Sequence, residues 1–160
     1  MLLSQQEKND YLRNVALKNF DFWKSQSNGA MLLDTNNTVV AVNAAAQKDF
    51  GTIDIIGLDS ISLFYKTNQE ILKNSTINGT AYTKDLDDAC EYLLKIDQVV
   101  IANKIQLNYA CFMPHNNEFR SLMLQATPVL HENGEVVGVW HSASEFNFFG
   151  ITDHLNIFQN

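Results

Sequence analysis

Basic residues are scarce in this chain and are never clustered. The 160 residues include 11 Lys and Arg against 18 Asp and Glu, which gives a net charge of −7 at pH 7. This charge would repel a phosphate backbone, and no group of Lys or Arg side chains offsets the repulsion. The sequence therefore argues against direct nucleic-acid binding by this segment.

Long apolar runs and an export signal are missing too. No stretch of about 18 consecutive apolar residues is present, so no membrane span is predicted. The N-terminal MLLSQQEKND lacks a basic stretch followed by an apolar one, which a signal peptide would need. The two cysteines, Cys90 and Cys111, lie inside apolar patterns and are predicted to be reduced core thiols. Together these features predict a cytoplasmic location.

Motifs for catalysis and for metal binding are also absent from the sequence. The chain has no GxSxG, HExxH, P-loop or GxGxxG motif. Its four histidines lack metal-ligand spacing, and the acidic run that begins at Asp85 fits a solvated helix start better than a calcium loop. We therefore predict no metal site, no catalytic residues and no enzymatic turnover.

What the chain does have is a strong pattern of strands and turns. With 46% hydrophobic and 18% charged residues, it can bury the core of one domain. Two β-rich runs flank a turn at Glu132–Gly134, where Asn-Gly is a strong hairpin signal because both residues tolerate positive φ. The segment from Gly29 to Gly51 has two apolar runs followed by a short helical pattern, for which Asn43 is the predicted N-cap.

The order of these patterns predicts the fold class. Runs of strands at both ends, with helices between them, favour an α+β fold in which helices cover one face of an antiparallel sheet. The stretch from residue 67 to 80 is polar and gives no clear signal. In chain order the predicted elements are a helix over Gln6–Gln26, strands over Ala30–Leu33 and Thr38–Val42, a helix over Ala44–Phe50, helical turns at Ile55–Gly57 and Ser60–Tyr65, a long helix over Lys84–Ala102, and strands over Ile105–Met113, Phe119–Thr127 and Val136–Phe146.

Four motifs in this order resemble those of PAS domains, the sensory modules of signalling proteins. The resemblance covers roughly residues 27–146. It implies a PAS fold with five antiparallel strands in the spatial order 2-1-5-4-3. The motifs are the asparagine that ends the second strand (Asn43), the Ile-Ile-Gly turn (Ile55–Gly57), the helix-end run KIDQVVIAN (Lys95–Asn103), and a closing pattern met by Pro128, Val129, Gly134, Val136 and Gly138.

The resemblance also implies a division of the chain and bears on its cofactors. Residues 1–26 would form an N-terminal amphipathic flanking or dimerisation helix, 27–146 the PAS domain, and 147–160 a tail or linker to an output domain outside this chain. Flavin-binding members carry a reactive cysteine on a short helix, and the corresponding GLDSISLF has none. Haem-binding members use a histidine on the long helix, which also has none. Flavin and haem are therefore not expected, and the cofactor stays unknown.

In PAS domains the sheet face towards the helices lines a cavity, so the resemblance implies a ligand site. Strand side chains alternate between faces, and the register therefore places whole rows. The family register puts Val137 and His141 inward and Trp140 outward, with Asn108 inward and Tyr109 outward. His141 would then be either a core histidine with its hydrogen bonds satisfied within the protein or, helped by Asn108, a polar anchor for a ligand in an otherwise apolar pocket. The predicted ligand-binding residues are Phe64, Val100, Asn108, Phe112, Leu122, Leu124, Val139 and His141.

The N-terminal helix carries large apolar residues that need a surface to dock on. This surface is either the outer face of its own sheet or a second copy of the chain, and the sequence leaves both open. We predict a homodimer in which these helices pack on each other or on the opposite sheet. The predicted interface residues are Leu12, Val15, Phe20, Trp23 and Trp140.

These features predict a PAS sensory or dimerisation module of a bacterial signalling protein, such as a sensor kinase or a LuxR-type transcription regulator. It would bind a small, mostly apolar ligand or act as an interaction domain. One alternative is a small NTF2-like α+β enzyme, of isomerase or dehydratase type, with His141 and a carboxylate in an apolar pocket. Such an enzyme predicts an Asp or Glu at an inward strand position, and the interiors of the three long strands offer none. Another alternative is a protein-interaction domain without a pocket.

Overall fold

A five-stranded antiparallel sheet organises the molecule. The computed structural model describes residues 2–19, 25–74, 79–115 and 118–145. The sheet has the spatial order β2-β1-β5-β4-β3, which confirms the predicted strand order and the α+β class. Its strands are β1 (Gly29–Asp34), β2 (Val39–Val42), β3 (Leu107–His115), β4 (Glu118–Leu130) and β5 (Val136–Glu145). The helices are α1 (Gln5–Tyr11), continued by a π-helical turn over Leu12–Ala16, α2 (Ala44–Asp49), α3 (Ser60–Asn74) and α4 (Gly79–Asn103).

Two helices are longer than the sequence pattern predicts. Helix α3 continues to Asn74, beyond the predicted turn at Ser60–Tyr65, and α4 begins at Gly79 rather than at Lys84. The stretch from residue 67 to 80 is polar and shows no apolar periodicity, which is why the sequence pattern gave no helix signal there. It also contains no proline, so its composition is compatible with the longer helices.

The structure confirms Asn43 as the N-cap of α2, and the same side chain also bonds to the backbone at the start of β1. Its side-chain oxygen accepts hydrogen bonds from the backbone N–H of Ala46 and of Ala30, both at 2.9 Å. Its amide nitrogen donates to the carbonyl oxygen of Asn28 at 2.8 Å. Because Asn43 is 1% exposed, one buried amide joins the start of β1 to the helix that follows β2.

The β4–β5 hairpin turns at the predicted place with a different geometry. Only Gly134 has positive φ (83°), whereas Asn133 does not. The side-chain oxygen of Asn133 instead accepts from the backbone N–H of Glu135 at 2.9 Å. The N–H of Gly134 donates to the carbonyl of His131, as in a tight turn followed by a left-handed glycine.

The N-terminal segment docks on the outer face of its own sheet. Leu12 is completely buried and packs against Leu32, Val137 and their neighbours, while Trp140 is partly buried against the same cluster. The carboxylate of Glu135 accepts the backbone N–H of Leu3 at 3.0 Å and lies 3.5 Å from Nζ of Lys8. Of the two surfaces considered for this helix, the structure shows docking on its own domain.

The burial of Val137 in the outer cluster corrects its predicted inward position. The pairing of β4 with β5 shifts between Val129 and Leu130: Val129 lies opposite Gly138, but Leu130 lies opposite Val136. Such a bulge adds one residue to a strand and breaks the alternation of its side chains. The prediction failed because it carried strict alternation through this irregularity.

Strand β3 differs from the predicted register by one residue. Tyr109, predicted to face outward, is buried against α4 in a cluster with Val100 and Leu124. Asn108, predicted to face inward, is exposed, and its side-chain oxygen accepts from the amide of Gln125 at 3.1 Å. Apolar residues occupy both rows of this strand, so its own pattern could not choose the face, and a slip of one residue exchanges the rows.

Candidate functional site

A cavity lies between the inner face of the sheet and the helices that cover it. Its volume is about 130 Å³. An engineered apolar cavity of about 150 Å³ holds a benzene molecule, so this space fits a single small ring. The lining is mainly apolar and comes from β1, β3, β4, β5 and all three covering helices. Among the lining residues are Met31, Leu33, Phe50, Leu63, Phe64, Leu93, Tyr109, Leu122, Leu124 and Ala143.

One corner of this cavity is polar, because a carboxylate meets a histidine there. Nε2 of His141 lies 2.8 Å from Oδ1 of Asp97, and the two side chains are 12% and 9% exposed. The contact has the distance of an ion pair, but neither atom has an aligned hydrogen bond. A buried polar atom without a good hydrogen bond costs free energy, so this corner favours an additional polar partner.

Neighbouring elements fix the position of both side chains. His141 lies on β5 between Met31 of β1 and Ala126 of β4. Asp97 is on α4, one helical turn before Val100, which is completely buried against the sheet. The sheet and the long helix therefore each contribute one side chain to the pair.

Tyr109 extends the pair into a chain of three polar groups. Its hydroxyl lies 3.3 Å from Nδ1 of His141. If the hydroxyl donates to Nδ1, the ring proton lies on Nε2 and faces Asp97. In that arrangement His141 donates towards the carboxylate, and the carboxylate acts only as an acceptor.

Other polar residues border the cavity at less buried positions. Asp49, Ser60 and Thr67 are half-buried and also line it, and the Thr67 hydroxyl donates to the carbonyl of Leu63 at 2.9 Å. The sequence predicts His141 and Asn108 as the polar groups near the sheet centre. Asp97 takes the position next to His141 that was expected for Asn108.

Comparison with solved structures identifies the fold. The PAS domain of Bordetella pertussis BvgS is similar with a TM-score of 0.63 and 13% identity, over 91% of this chain and 98% of that domain. The chain has the PAS fold. A sensory box sensor histidine kinase from Vibrio cholerae is similar with a TM-score of 0.55 and 12% identity, over 88% of this chain and 98% of the other.

A third similar structure is a complex of phage VqmA with DPO. Its TM-score is 0.60 and its identity 16%, and the match covers 98% of this chain. This chain spans 60% of the length of that protein. No family model matches the sequence, and no curated protein is similar to it in sequence. At these identities the comparisons establish the PAS fold alone.

Within the PAS fold the predicted ligand-binding residues divide into three groups. Phe64, Leu122, Leu124 and His141 line the cavity. Val100 and Val139 are on the same side of the sheet but are buried in the adjacent core. The inward placement of Asn108 is wrong, because this residue is exposed on the opposite face, and the side chain of Phe112 lies outside what the structure describes.

The predicted interface residues divide in a similar way. Leu12 contacts its own sheet, and its complete burial there is not compatible with direct contact with a partner in this arrangement. Trp140 faces outward as predicted and is only partly buried. Phe20, Trp23 and the side chain of Val15 lie outside the described residues.

Neither a metal cluster nor a helix able to cross a membrane is found among the described residues. Among these residues, no group of three or more His, Cys, Asp and Glu is placed to hold a metal ion. No described helix combines the length and the apolar composition that crossing a bilayer requires.

Sequence reasoning missed Asp97 as a site residue, although a signal was present. Asp97 occupies the same helical stripe as Leu93 and Val100, so an acidic residue lies where the pattern predicts burial. A buried carboxylate needs a partner, and His141 was the histidine predicted to face inward. Those two observations together could have suggested the pair.

Proposed function

We propose that this chain is a PAS sensory module of a bacterial signalling or transcription-regulatory protein that binds a small, mostly apolar molecule. The observation that carries the proposal is the apolar cavity with the buried Asp97–His141 pair at one corner. Concave apolar spaces with few polar groups are typical of ligand sites. The phage VqmA structure, a complex with DPO, supports the idea that this architecture can hold a small molecule.

The proposal extends to assembly and location. One similar structure is described as a Vibrio cholerae VqmA dimer and is discussed among LuxR-type receptors, which supports a homodimer here. Leu12 is buried against its own sheet. A partner would therefore contact the segment that follows Leu12, including Phe20 and Trp23, and the exposed edge of Trp140. The module would act in the cytoplasm, without direct contact to nucleic acid, and signal to an output domain.

A second candidate function is the NTF2-like type of enzyme, which one observation favours. A histidine held between a carboxylate and a tyrosine hydroxyl is an arrangement suited to proton transfer. The strand order of the sheet and its likeness to PAS domains favour the sensory function. Turnover lost on His141→Ala with the fold intact would establish the enzymatic function instead.

Native mass spectrometry tests the sensory proposal. Purified protein is expected to retain, or to acquire from a cell extract, one small molecule per chain. The control is Ala143→Phe, which puts a ring into the cavity from β5 and is expected to abolish the added mass while circular dichroism stays unchanged. A wild-type protein that carries no adduct after exposure to extract, or an adduct that the Ala143→Phe variant keeps, would contradict the proposal.

A further inference from the structure

The two edges of the sheet are covered differently. At the edge formed by β2, the loop after α2 closes the strand, since the N–H of Val39 donates to the carbonyl oxygen of Leu58 at 2.9 Å and the N–H of Gly57 donates to that of Val39 at 2.8 Å. Strand β3 forms the opposite edge and pairs only with β4 among the described strands. No loop in the described ranges makes backbone hydrogen bonds of this kind to β3. This edge can therefore accept an added strand.

The residues of β3 do not block this edge. Sheet edges in proteins are commonly protected by charged side chains or by proline, and residues 105–113 contain neither. At the start of the strand, Leu107 and Tyr109 pack in the cluster that lies under α4, whereas Asn108 and Ala110 are exposed. Because side chains alternate along a strand, an added strand that pairs here directs every second side chain towards α4.

An exposed apolar flank of α4 lies beside the same edge. The ring of Tyr92 meets that of Tyr109 edge to face, with centroids 6.4 Å apart, which places Tyr92 on the β3 side of the helix. Val99 is seven residues further along α4 and therefore lies on the same side. Ile105 follows the helix, in the short segment that leads into β3. The side chains of Tyr92, Val99 and Ile105 are 53%, 41% and 44% exposed, and together with the edge of β3 they form what we call the α4–β3 surface.

The charge of this surface favours a basic partner. Asp88 is exposed and lies one helical turn before Tyr92, so it is on the same side of α4. Glu91 is paired with Lys95 at 2.6 Å, and these two charges largely offset each other. The chain as a whole has a net charge of −7, which attracts a basic segment and repels an acidic one.

We propose that the α4–β3 surface binds an extended peptide segment of a partner protein, which adds a strand to the sheet beside β3. The backbone of this segment pairs antiparallel with residues 107–110, the more stable of the two strand arrangements. Its side chains that point towards α4 are apolar and contact Tyr92, Val99 and Ile105, and a basic residue lies near Asp88. This binding is independent of the cavity, and it gives the module a contact with a partner that does not use the outer face of the sheet.

Three synthetic peptides test this binding in NMR titrations of the isotope-labelled full chain. The first, Arg-Thr-Val-Thr-Val-Thr-Val, alternates polar and apolar residues after a basic start. It is expected to cause saturable shifts at the amides of residues 107–110 and at Tyr92 and Val99. The second, Arg-Val-Val-Val-Thr-Thr-Thr, has the same composition without the alternation and is expected to bind about fivefold more weakly. The third has Glu in place of Arg in the first peptide and is expected to bind about threefold more weakly, as for an exposed ion pair.

Substitutions on α4 locate the binding surface. Val99→Lys and Tyr92→Ala, each checked for folding by circular dichroism, are expected to weaken binding of the first peptide about fivefold. Gln98→Lys adds the same charge at an exposed position on the solvent side of α4 and is expected to change the affinity by less than about twofold.

Three results would overturn the inference. The first is the absence of saturable shifts at residues 107–110 in a folded sample. The second is equal affinity of the three peptides, or equal effects of Val99→Lys and Gln98→Lys. The third is a set of shifts at residues 107–110 that grow with protein concentration when no peptide is present, because these would show that a second copy of the chain occupies the edge.

Discussion

Nε2 of His141 on β5 lies 2.8 Å from Oδ1 of Asp97 on α4, so one polar contact joins the central part of the sheet to the long helix across the cavity. Around it the helix and the sheet meet through apolar side chains such as Val100 and Leu124. The contact therefore affects both the stability of the helix–sheet interface and the properties of the cavity.

A double-mutant cycle measures the strength of this contact. Asp97→Ala and His141→Ala are each expected to lower the free energy of unfolding by about 1–3 kcal/mol, because each leaves a buried polar partner behind. The double variant is expected to be less destabilised than the sum, with a coupling of about 0.5–3 kcal/mol. Denaturant titration gives these values, and Asn108→Ala on the outer face serves as the control, with a change of about 0.5 kcal/mol or less. Strict additivity would show that the two side chains do not interact.

Leu12 is the anchor of the N-terminal segment. Leu12→Ala is expected to lower the free energy of unfolding by about 2–5 kcal/mol, because a completely buried leucine loses its contacts with Leu32 and Val137. Asn14→Ala, at an exposed position two residues further along the chain, is the matched control and should change stability little. Equal effects of the two substitutions in urea titrations would show that the segment is not docked on its own sheet.

Gly138 sets how closely the N-terminal segment approaches the sheet. A Cβ at this position would collide with the carbonyl oxygen of Leu33 and lie 2.9 Å from both methyl groups of Leu12. Gly138→Ala is therefore expected to lower the melting temperature and to increase hydrogen exchange of the α1 amides. Gly134→Ala, which has open space around its Cβ but requires positive φ (83°), is expected to strain only the hairpin turn. Unchanged exchange of α1 in the Gly138 variant would contradict the close approach.

Glu135 makes the docking of α1 sensitive to pH. Burial acts to raise the pKa of this carboxyl, but hydrogen bonds from the Leu3 N–H, the Asn133 amide and Lys8 outweigh it, and the pKa is lower than usual. A lowered pKa in the folded state means that docking gains stability above the ordinary glutamate pKa and loses it as the pH falls through the lowered value. The protection factors of the α1 amides, which correct the exchange rates for the pH dependence of intrinsic exchange, are therefore expected to fall in acid. Glu135→Gln should reduce this loss, and the remainder comes from Glu7 in the capping box of α1, because hydrogen bonds from Ser4 also lower the pKa of Glu7. Identical profiles for both proteins would contradict the assignment.

Asn43 is expected to be costly to replace. Asn43→Ala removes the cap of α2 and leaves the backbone N–H of Ala30 without its buried acceptor, at a combined cost of about 2–4 kcal/mol. The exposed Asn36→Ala is the control in the same unfolding experiment. A loss below about 0.5 kcal/mol at Asn43 would mean that water replaces its hydrogen bonds.

The sequence predicted the architecture well because its strongest signals are local. Asn43 as a cap and the turn at Gly134 depend on neighbouring residues, and both occur where predicted. In β4 the resemblance implied an inward position for Leu122 and Leu124, and both line the cavity; the more polar Gln125 and Thr127 alternate with this row, which agrees with that register.

The errors arose where two faces of a strand have similar polarity or where alternation is interrupted. The register of β3 could not be chosen from its own residues, and choosing the wrong face exchanged Asn108 with Tyr109. The valines around Leu130 give no sequence signal for the bulge in the pairing of β4 with β5. The Asp97–His141 contact joins residues 44 positions apart, and only the packing of α4 on the sheet brings them together.

The ligand site is tested most directly by a benzene titration followed by two-dimensional NMR of the isotope-labelled chain. If the cavity is a ligand site, saturable shifts are expected at Phe64, Leu122, Leu124 and His141, which line it, and none at Asn108 or Gln125 on the opposite face. Shifts spread over the outer face, or the absence of any saturable shift in a folded sample, would contradict the claim that this PAS fold holds a small molecule between its sheet and its long helix.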